Sequence, residues 1–478
     1  MNETYWKLDE GAEYPPLSDD IRCGCLVIGG GLCGVLTAYQ LGKRGIDTVL
    51  IEKERLGNGK TAGTTAKATV CHNTAYSDLS EKLSAESARK YAAANMAGLS
   101  LLREITDDSC DAETCDMFLY SLYGERRIMR EYNRMREFGI DCVYSVGTPV
   151  GFELPIEVKS AVCVRNQLKF HPLKTVRHIA ALARSCVKIY EQTEAESLAD
   201  HVVKTKNGHT IRGEKIIIAT NYPMLVPKNL NFLKLYRETS YGAALLGLPA
   251  LSHMYYGIDG GYAYRSHGET LIVSGERNRD TPPPNTAEKL IQAAEAMFGK
   301  AELLASWSNN DCHTHDGMPY AGTIGDGVFL ASGFSSWGMT NSAAAAIILS
   351  HMAAGERIWY ADGFSPSRHL LKSGGDSLLN HIAVSVSGMA KNLTVPEHTL
   401  SEIKPGCAEI ISYNGHRAGA YRDEDGKTYL VSLKCPHLGC SLEWNPAART
   451  WDCPCHGSRF SYDGTCIGEP STKGIGLT

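Results

Sequence analysis

A short apolar run, Cys25-Leu26-Val27-Ile28, leads straight into Gly29-Gly30-Gly31-Leu32-Cys33-Gly34, and no other stretch limits the fold so tightly. Helix formers follow from Val35 to Arg44, with Gly45 as a stop. Thr48-Val49-Leu50-Ile51 then reads as a second strand ending at Glu52. Strand, G-x-G-x-x-G, helix, strand and acid in one compact unit predict a Rossmann-like dinucleotide site. Gly29 makes the tight turn, Gly31 lets backbone approach a pyrophosphate, and Gly34 lets the helix pack on the strand. The helix N-terminus offers N–H groups and a positive partial charge to the phosphates. Glu52 is placed to accept hydrogen bonds from an adenosine ribose. The unit by itself does not separate FAD from NAD.

Two later segments extend the same sheet. Glu214 to Asn221 reads as a buried parallel strand ending in small residues, Ala219 among them. Val328 to Gly333 is another, leading through Phe334-Ser335-Ser336-Trp337-Gly338-Met339-Thr340 into an Ala-rich helix closed by Gly355. That second helix N-terminus can face the ligand, where its dipole would favour an anionic reduced flavin.

At 478 residues the chain needs two or three domains. A hydrophobic content of 43% and a charged content of 21% are those of a soluble globular protein. The net charge of −5 argues against nucleic acid as a partner. No apolar run is long enough to span a bilayer, and the polar start lacks the order of a secretory signal, so a cytoplasmic protein is expected. Most of the 16 cysteines sit singly in apolar stretches and read as small buried hydrophobes.

The N-terminal unit, Gly63-Thr64-Thr65-Ala66-Lys67-Ala68-Thr69, Ile217 to Pro223, Asp316 to Gly322 and Gly333 to Thr340 together resemble the D-amino-acid oxidase and glycine oxidase-like FAD family, over residues 22 to about 360. The resemblance implies FAD, with Thr64, Thr65 and Ala66 lining the flavin and Gly333, Gly338, Met339 and Thr340 closing over its ribityl and pyrimidine side. Val70-Cys71-His72 departs from the pattern by placing a thiol where relatives carry a polar, non-sulfur residue; a covalent flavin link through Cys71 or His72 is the option it opens.

One cysteine group breaks from the bland reading. Cys435-x-His437 and Cys453-x-x-His456 are separated by 15 residues, and each loop supplies one thiolate and one imidazole. Zinc fingers pair Cys with Cys and His with His. Mixed loops suit a two-iron cluster with both cysteines on one iron and both histidines on the other. Cys435-Pro436-His437-Leu438-Gly439-Cys440 and Cys453-Pro454-Cys455-His456-Gly457-Ser458 resemble Rieske proteins of the cytochrome bc type. That resemblance implies a [2Fe–2S] cluster in a small all-β fold and a Cys440–Cys455 disulfide pinning the loops. It also implies a Ser458 hydroxyl aimed at a bridging sulfide, and a proline loop at Gly468-Glu469-Pro470. Phe460 stands where high-potential members carry a Tyr, which should lower the potential.

The expected organisation is a flavoprotein unit over 1–361, a linker over 362–395 and a Rieske domain over 396–478. The Rossmann-like α/β part should take about 20–75, 160–225 and 320–360, with an interleaved antiparallel-sheet substrate part over 76–159 and 226–319. The resembling family oxidises amines, delivering a hydride to FAD, and its amino-acid members hold the substrate carboxylate with Arg and Tyr. Tyr264, Arg265 and Arg277 are the candidates here; Lys67, His72, His313 and His315 are further possible cavity residues. A flavin takes two electrons together whereas a Rieske cluster passes one at a time. The expected function is therefore oxidation of a small amine or amino acid with electrons leaving through the cluster to an external carrier. A redox-sensing electron carrier, or a reductase drawing electrons in through the cluster, are the alternatives.

Overall fold

The computed structural model describes residues 4–7, 14–223, 225, 234–278, 286–368, 400–437, 439–446, 448–455, 457–468, 471 and 473–477. His456, Glu469, Pro470 and most of the expected linker lie outside the described residues.

The chain opens with β1 (Ile21–Ile28), α1 (Leu32–Lys43) and β2 (Thr48–Ile51), the predicted unit. It continues through β3 (Lys67–Ala68), α2 (Ala75–Lys82), α3 (Ala85–Ile105), β4 (Glu113–Ser121), α4 (Arg126–Glu137), β5 (Cys142–Val146) and β6 (Ser160–Lys169). After α5 (Pro172–Ala183) come β7 (Val187–Tyr190), β8 (Ala195–Ala199), β9 (Val202–Thr205) and β10 (Thr210–Asn221). Next are β11 (Leu235–Leu246), β12 (Met254–Gly257), β13 (Ala263–His267), β14 (Thr270–Asn278), α6 (Thr286–Phe298) and β15 (Glu302–Thr314). The flavoprotein unit closes with β16 (Tyr320–Gly325), β17 (Val328–Ser332) and α7 (Gly338–Ala353).

The first sheet runs β16-β17-β10-β1-β2-β7, parallel from β17 to β7, with the β8–β9 hairpin added beside β10. Both faces are covered, as parallel strands require. Cys25, Val27, Leu50 and Ile217 join the core that includes α1, α5 and α7, while Leu26, Ile28, Val49 and Ile216 pack on the opposite side with Val203. Small residues let helices approach closely. A Cβ at Gly98 of α3 would lie 2.7 Å from the Thr340 carbonyl oxygen of α7.

The second sheet has nine strands in the order β15-β11-β14-β13-β12-β4-β6-β3, with β5 beside β6. Strand β6, placed by sequence with the dinucleotide part, pairs here instead, and the chain rejoins the first sheet at β7. The C-terminal part is all β: a three-stranded sheet of β18 (Ala408–Tyr413), β19 (His416–Arg422) and β20 (Thr428–Ser432), and a four-stranded one of β21 (Glu443–Asn445), β22 (Thr450–Asp452), β23 (Arg459–Ser461) and β24 (Cys466–Gly468). Its core gathers Trp451, Phe460 and Leu442 with the cysteines of both loops. No helix among the described residues is long and apolar enough to cross a membrane.

Strands β11 and β15 form one wall with two uses. Their antiparallel register sets Glu238 against Asp311, Ser240 against Asn309 and Gly242 against Trp307. It sets Arg237 against Cys312, Thr239 against Asn310 and Tyr241 against Ser308. Side chains alternate across a strand, so these two sets occupy opposite faces. Ser240, Gly242, Trp307, Asn309 and Asp311 line the large cavity, which Arg237, Tyr241 and Ser308 of the other face also border. The other face carries the C-terminal domain: Arg459 donates to Ser308 Oγ at 3.2 Å, and Asn310 Nδ2 donates to the Gly457 carbonyl at 3.3 Å.

Candidate functional site: a dinucleotide cavity and a two-loop metal cradle

A cavity of about 540 Å³ runs from the β1–α1 turn to the second sheet. Gly29, at φ +109°, turns the chain so tightly that a Cβ would lie 2.7 Å from the Ala219 carbonyl oxygen. A Cβ at Gly34 would lie 1.8 Å from the Gly29 carbonyl oxygen, so helix and strand meet only without one. Gly31 differs: its nearest obstacle would be Thr61 Oγ1 at 3.4 Å, so the protein itself does not demand a glycine there. The space it leaves opens on the cavity, which is what a pyrophosphate needs. Glu52 ends β2 with Oε2 accepting from Gly30 N at 2.6 Å and Oε1 from Glu54 N at 3.0 Å. Burial raises its pKa, and those backbone donors oppose the rise.

Of the expected cofactor residues, Gly29, Gly31, Glu52, Thr64, Thr65, Ala219, Gly338 and Met339 border this cavity. Gly34, Ala66, Gly333 and Thr340 stand behind them. Ala66 is fully buried at φ 53°, and Thr340 Oγ1 donates to the Thr69 carbonyl at 3.0 Å. Cys71 and His72 also stand behind the wall. His72 is held by Tyr91, the Thr69 carbonyl and Thr340, and burial drives it down to about 3, while burial drives the Cys71 thiol up.

Two of the three expected substrate residues are placed elsewhere. Tyr264 points to the far face of the second sheet, packed with Tyr255 and Leu271. Arg265 is fully buried and donates through Nη1 to the carbonyls of Ala66 (2.6 Å), Thr65 (3.2 Å) and Phe170 (3.3 Å). It braces the flavin-lining segment from behind and does not reach the cavity. Arg277 does line the cavity, and its Nη2 donates to the Tyr256 hydroxyl, with the guanidinium 5.5 Å from that ring's centroid. Tyr256, not Tyr264, is the tyrosine beside it. Strand phase decided this, because Tyr255 and Tyr264 share one face while Tyr256 and Ala263 share the other.

Lys67 enters the same space, its Nζ donating to Thr65 Oγ1 at 2.9 Å. Burial first, then the Arg265 and Arg277 cations, push its pKa down to about 7. Asp311 was not anticipated. It lines the cavity and accepts from Asn309 Nδ2 at 3.2 Å and Ser240 Oγ at 3.3 Å. The period-2 pattern Trp307, Asn309, Asp311 was the available signal. His313 contacts Glu238 at 3.6 Å, and His313 and His315 both pack with Tyr236.

At the C-terminal site two loops repeat one geometry. In the first, Cys435 N donates to the Cys440 carbonyl (2.9 Å) and Gly439 N to the Cys435 carbonyl (2.9 Å). In the second, Cys453 N donates to the Ser458 carbonyl (2.8 Å) and Gly457 N to the Cys453 carbonyl (2.8 Å). Gly439 and Gly457 turn at φ +80° and +76°. Cys440 and Cys455 are joined by a disulfide. The sulfurs of Cys440, Cys453 and Cys455 lie within 4.8 Å of one another, and Cys435 and Cys453 are buried beside them. Burial, then the Arg237 cation, keeps His437 in the neutral form that ligates metal. Ser458 is fully buried and accepts from Ser471 N at 3.0 Å, leaving its own proton to donate. Phe460 is fully buried beneath the loops. A thiolate and an imidazole from one loop, with a thiolate from its twin, fit a [2Fe–2S] cluster better than zinc.

Comparison with known proteins agrees with both sites. Residues 25–352 match the FAD dependent oxidoreductase family, and residues 394–476 match the Rieske [2Fe-2S] domain. A Bacillus subtilis (strain 168) protein named as a Rieske 2Fe-2S iron-sulfur protein, YhfW, is 34% identical over 98% of this chain and 96% of its own. A cytochrome b6-f complex iron-sulfur subunit of Chlorobaculum tepidum is 34% identical over 70 residues, 15% of this chain and 38% of that subunit. Among solved structures, glycine oxidase from Geobacillus kaustophilus has a TM-score of 0.61 at 20% identity, covering 73% of this chain and 99% of its own. L-amino acid deaminase from Proteus vulgaris has a TM-score of 0.62 at 16% identity, covering 76% and 100%. The first unit binds FAD and the second a [2Fe–2S] cluster.

Proposed function

From the premise that this chain belongs to the FAD dependent oxidoreductase family and carries a Rieske [2Fe-2S] domain, we propose that it is an amine or amino-acid dehydrogenase whose electrons leave through the cluster. The observation that carries the reading is the Arg277–Tyr256 pair on the cavity wall, facing the flavin-lining segment 63–67. A guanidinium fork fits a carboxylate two-pronged, and a phenol hydroxyl beside it adds a third donor. The fold is shared with a glycine oxidase, an L-proline dehydrogenase from P. horikoshii and an L-amino acid deaminase, which supports a substrate of that class.

When bound, FAD takes up a hydride from the carbon beside the amine nitrogen, and the cluster relays electrons singly to an external carrier. The chain's own residues orient and shield. Arg277 and Tyr256 hold the carboxylate, Trp307 and Trp337 exclude water from the cavity, and Arg265 fixes the Thr65-Ala66 backbone. The C-terminal domain, held by Asn310 and by Ser308 at the border of the cavity, keeps the cluster loops against the flavoprotein unit. The proposed acceptor is a diffusible carrier in the cytoplasm.

The test is an anaerobic titration of the holoprotein with amino acids and secondary amines, followed by absorbance. Bleaching of the flavin band and then of the Rieske bands by one compound is expected. Failure of every compound, while dithionite reduces both cofactors, overturns the substrate class.

A further inference from the structure

Four acids border the cavity, Glu52, Glu54, Glu194 and Asp311. Glu52, at the nucleotide end, is tied to backbone N–H groups. Asp311, on the wall strand β15, accepts from neutral donors among the described residues, the Asn309 amide and the Ser240 hydroxyl. Another buried acid, Asp316, is by contrast held in an ion pair by Arg368 at 2.6 Å. A carboxylate can accept about four hydrogen bonds, so neutral donors leave Asp311 with acceptor capacity toward the cavity.

The charges facing it come from several elements. Lys60 and Arg277 act on it through space from the loop after β2 and from β14, and Glu238 stands directly across on β11 with His313 near it. Lys67 lies further along the same cavity. Arg277 and Asp311 thus offer a cation and an anion to one space, the complement of a zwitterion.

We propose that Asp311 binds the substrate's ammonium group and accepts its proton, so that the cavity takes α-amino acids with nitrogen against β15 and carboxylate against Arg277. This rests on the amine reading above. The proton passes from nitrogen to an Asp311 oxygen, which frees the nitrogen lone pair. The adjoining C–H electron pair then leaves as hydride to the bound flavin, and the lone pair forms the C=N bond. Water adds to the imine, ammonia leaves, and Asp311 returns its proton to solvent. Burial pushes Asp311 up to about 6, against the pull of Lys60 and Arg277, so it is ionised and ready at neutral pH.

The test uses oxidised holoprotein, with flavin absorbance as the readout and ionic strength held constant. Methylammonium chloride and sodium acetate are titrated separately from pH 5 to 8. Methylammonium should perturb the flavin saturably, its affinity rising steeply as Asp311 ionises around pH 6 and more gently as Lys67 loses its proton near 7. Asp311→Asn should weaken it roughly 10- to 100-fold, the range of one charged hydrogen bond, and remove the rise around pH 6 while leaving the gentler one from Lys67 near 7. Acetate binding should survive that change. Asp311→Glu, which keeps the charge, should retain the pH dependence, and it answers the question if Asp311→Asn loses FAD. Equal methylammonium binding in wild type and Asp311→Asn overturns the proposal. Amino acids that still bleach the flavin would then keep the dehydrogenase reading alone, whereas methylammonium binding at Asp311 without any amine-driven bleaching would keep the ammonium site alone.

Discussion

The two cofactor cradles are built by opposite strategies. The FAD cavity is assembled from segments far apart in the chain, with Gly29, Thr64, Ala219 and Met339 meeting through two interleaved sheets. The cluster cradle comes from two short loops of identical hydrogen-bond pattern, linked by one disulfide. The first depends on long-range packing, and its determinants are mostly residues that make room. The second depends on local turns, and its determinants are the ligands themselves. Damage to the flavin cradle should therefore act through the fold, and damage to the cluster cradle through loss of metal.

Cys453→Ser breaks the comparison most sharply. It should abolish the cluster, reducing bound iron to near zero with loss of the Rieske EPR signal, while FAD absorbance and the flavoprotein melting transition persist; loss of FAD as well would show that the cradles are not independent. Gly34→Val should do the reverse, since its side chain has no room beside the Gly29 carbonyl. Overpacking of this kind costs about 1–3 kcal/mol, and FAD should be lost from purified protein whose iron content is retained. Replacing Cys440 and Cys455 together by Ser removes a link between residues 15 apart, worth about 3 kcal/mol. Calorimetry should show the C-terminal transition falling and the flavoprotein transition unmoved. Arg277→Met should raise KM for a carboxylate-bearing substrate roughly 10- to 100-fold, an effect of about 1.5–3 kcal/mol, with cluster content unchanged. Asn310→Ala, which removes one interdomain hydrogen bond, should cost about 1 kcal/mol, read as slightly faster proteolytic release of the C-terminal domain.

What could be read from sequence follows the same division. The β1–α1–β2 unit and the Cys435 and Cys453 loops were legible because each determinant is a residue type at a fixed local spacing. Tyr264 and Arg265 misled because both lie on the correct strand, β13, and only its phase and depth tell where they point. Tyr264 faces the distal core, and Arg265 is capped by backbone carbonyls that no spacing announces. Asp311 stayed hidden for a related reason: its significance comes from Lys60 and Arg277, which the chain delivers from two other elements. The pairing of β6 with β4 depends on long-range registry, so sequence placed that strand in the wrong layer.

The two-faced wall of β11 and β15 has a consequence for how this protein can change. Substitutions at Trp307, Asn309 or Asp311 alter the cavity and a substitution at Asn310 alters the domain contact, so each can be adjusted alone, whereas Ser308 borders both. An insertion or deletion of a single residue in β15 is different: it would turn every following side chain to the opposite side and exchange the two sets at once. The wall tolerates new lettering but not a shifted reading frame, and lineages carrying this pairing of cofactors should keep the length of that strand fixed while its letters vary.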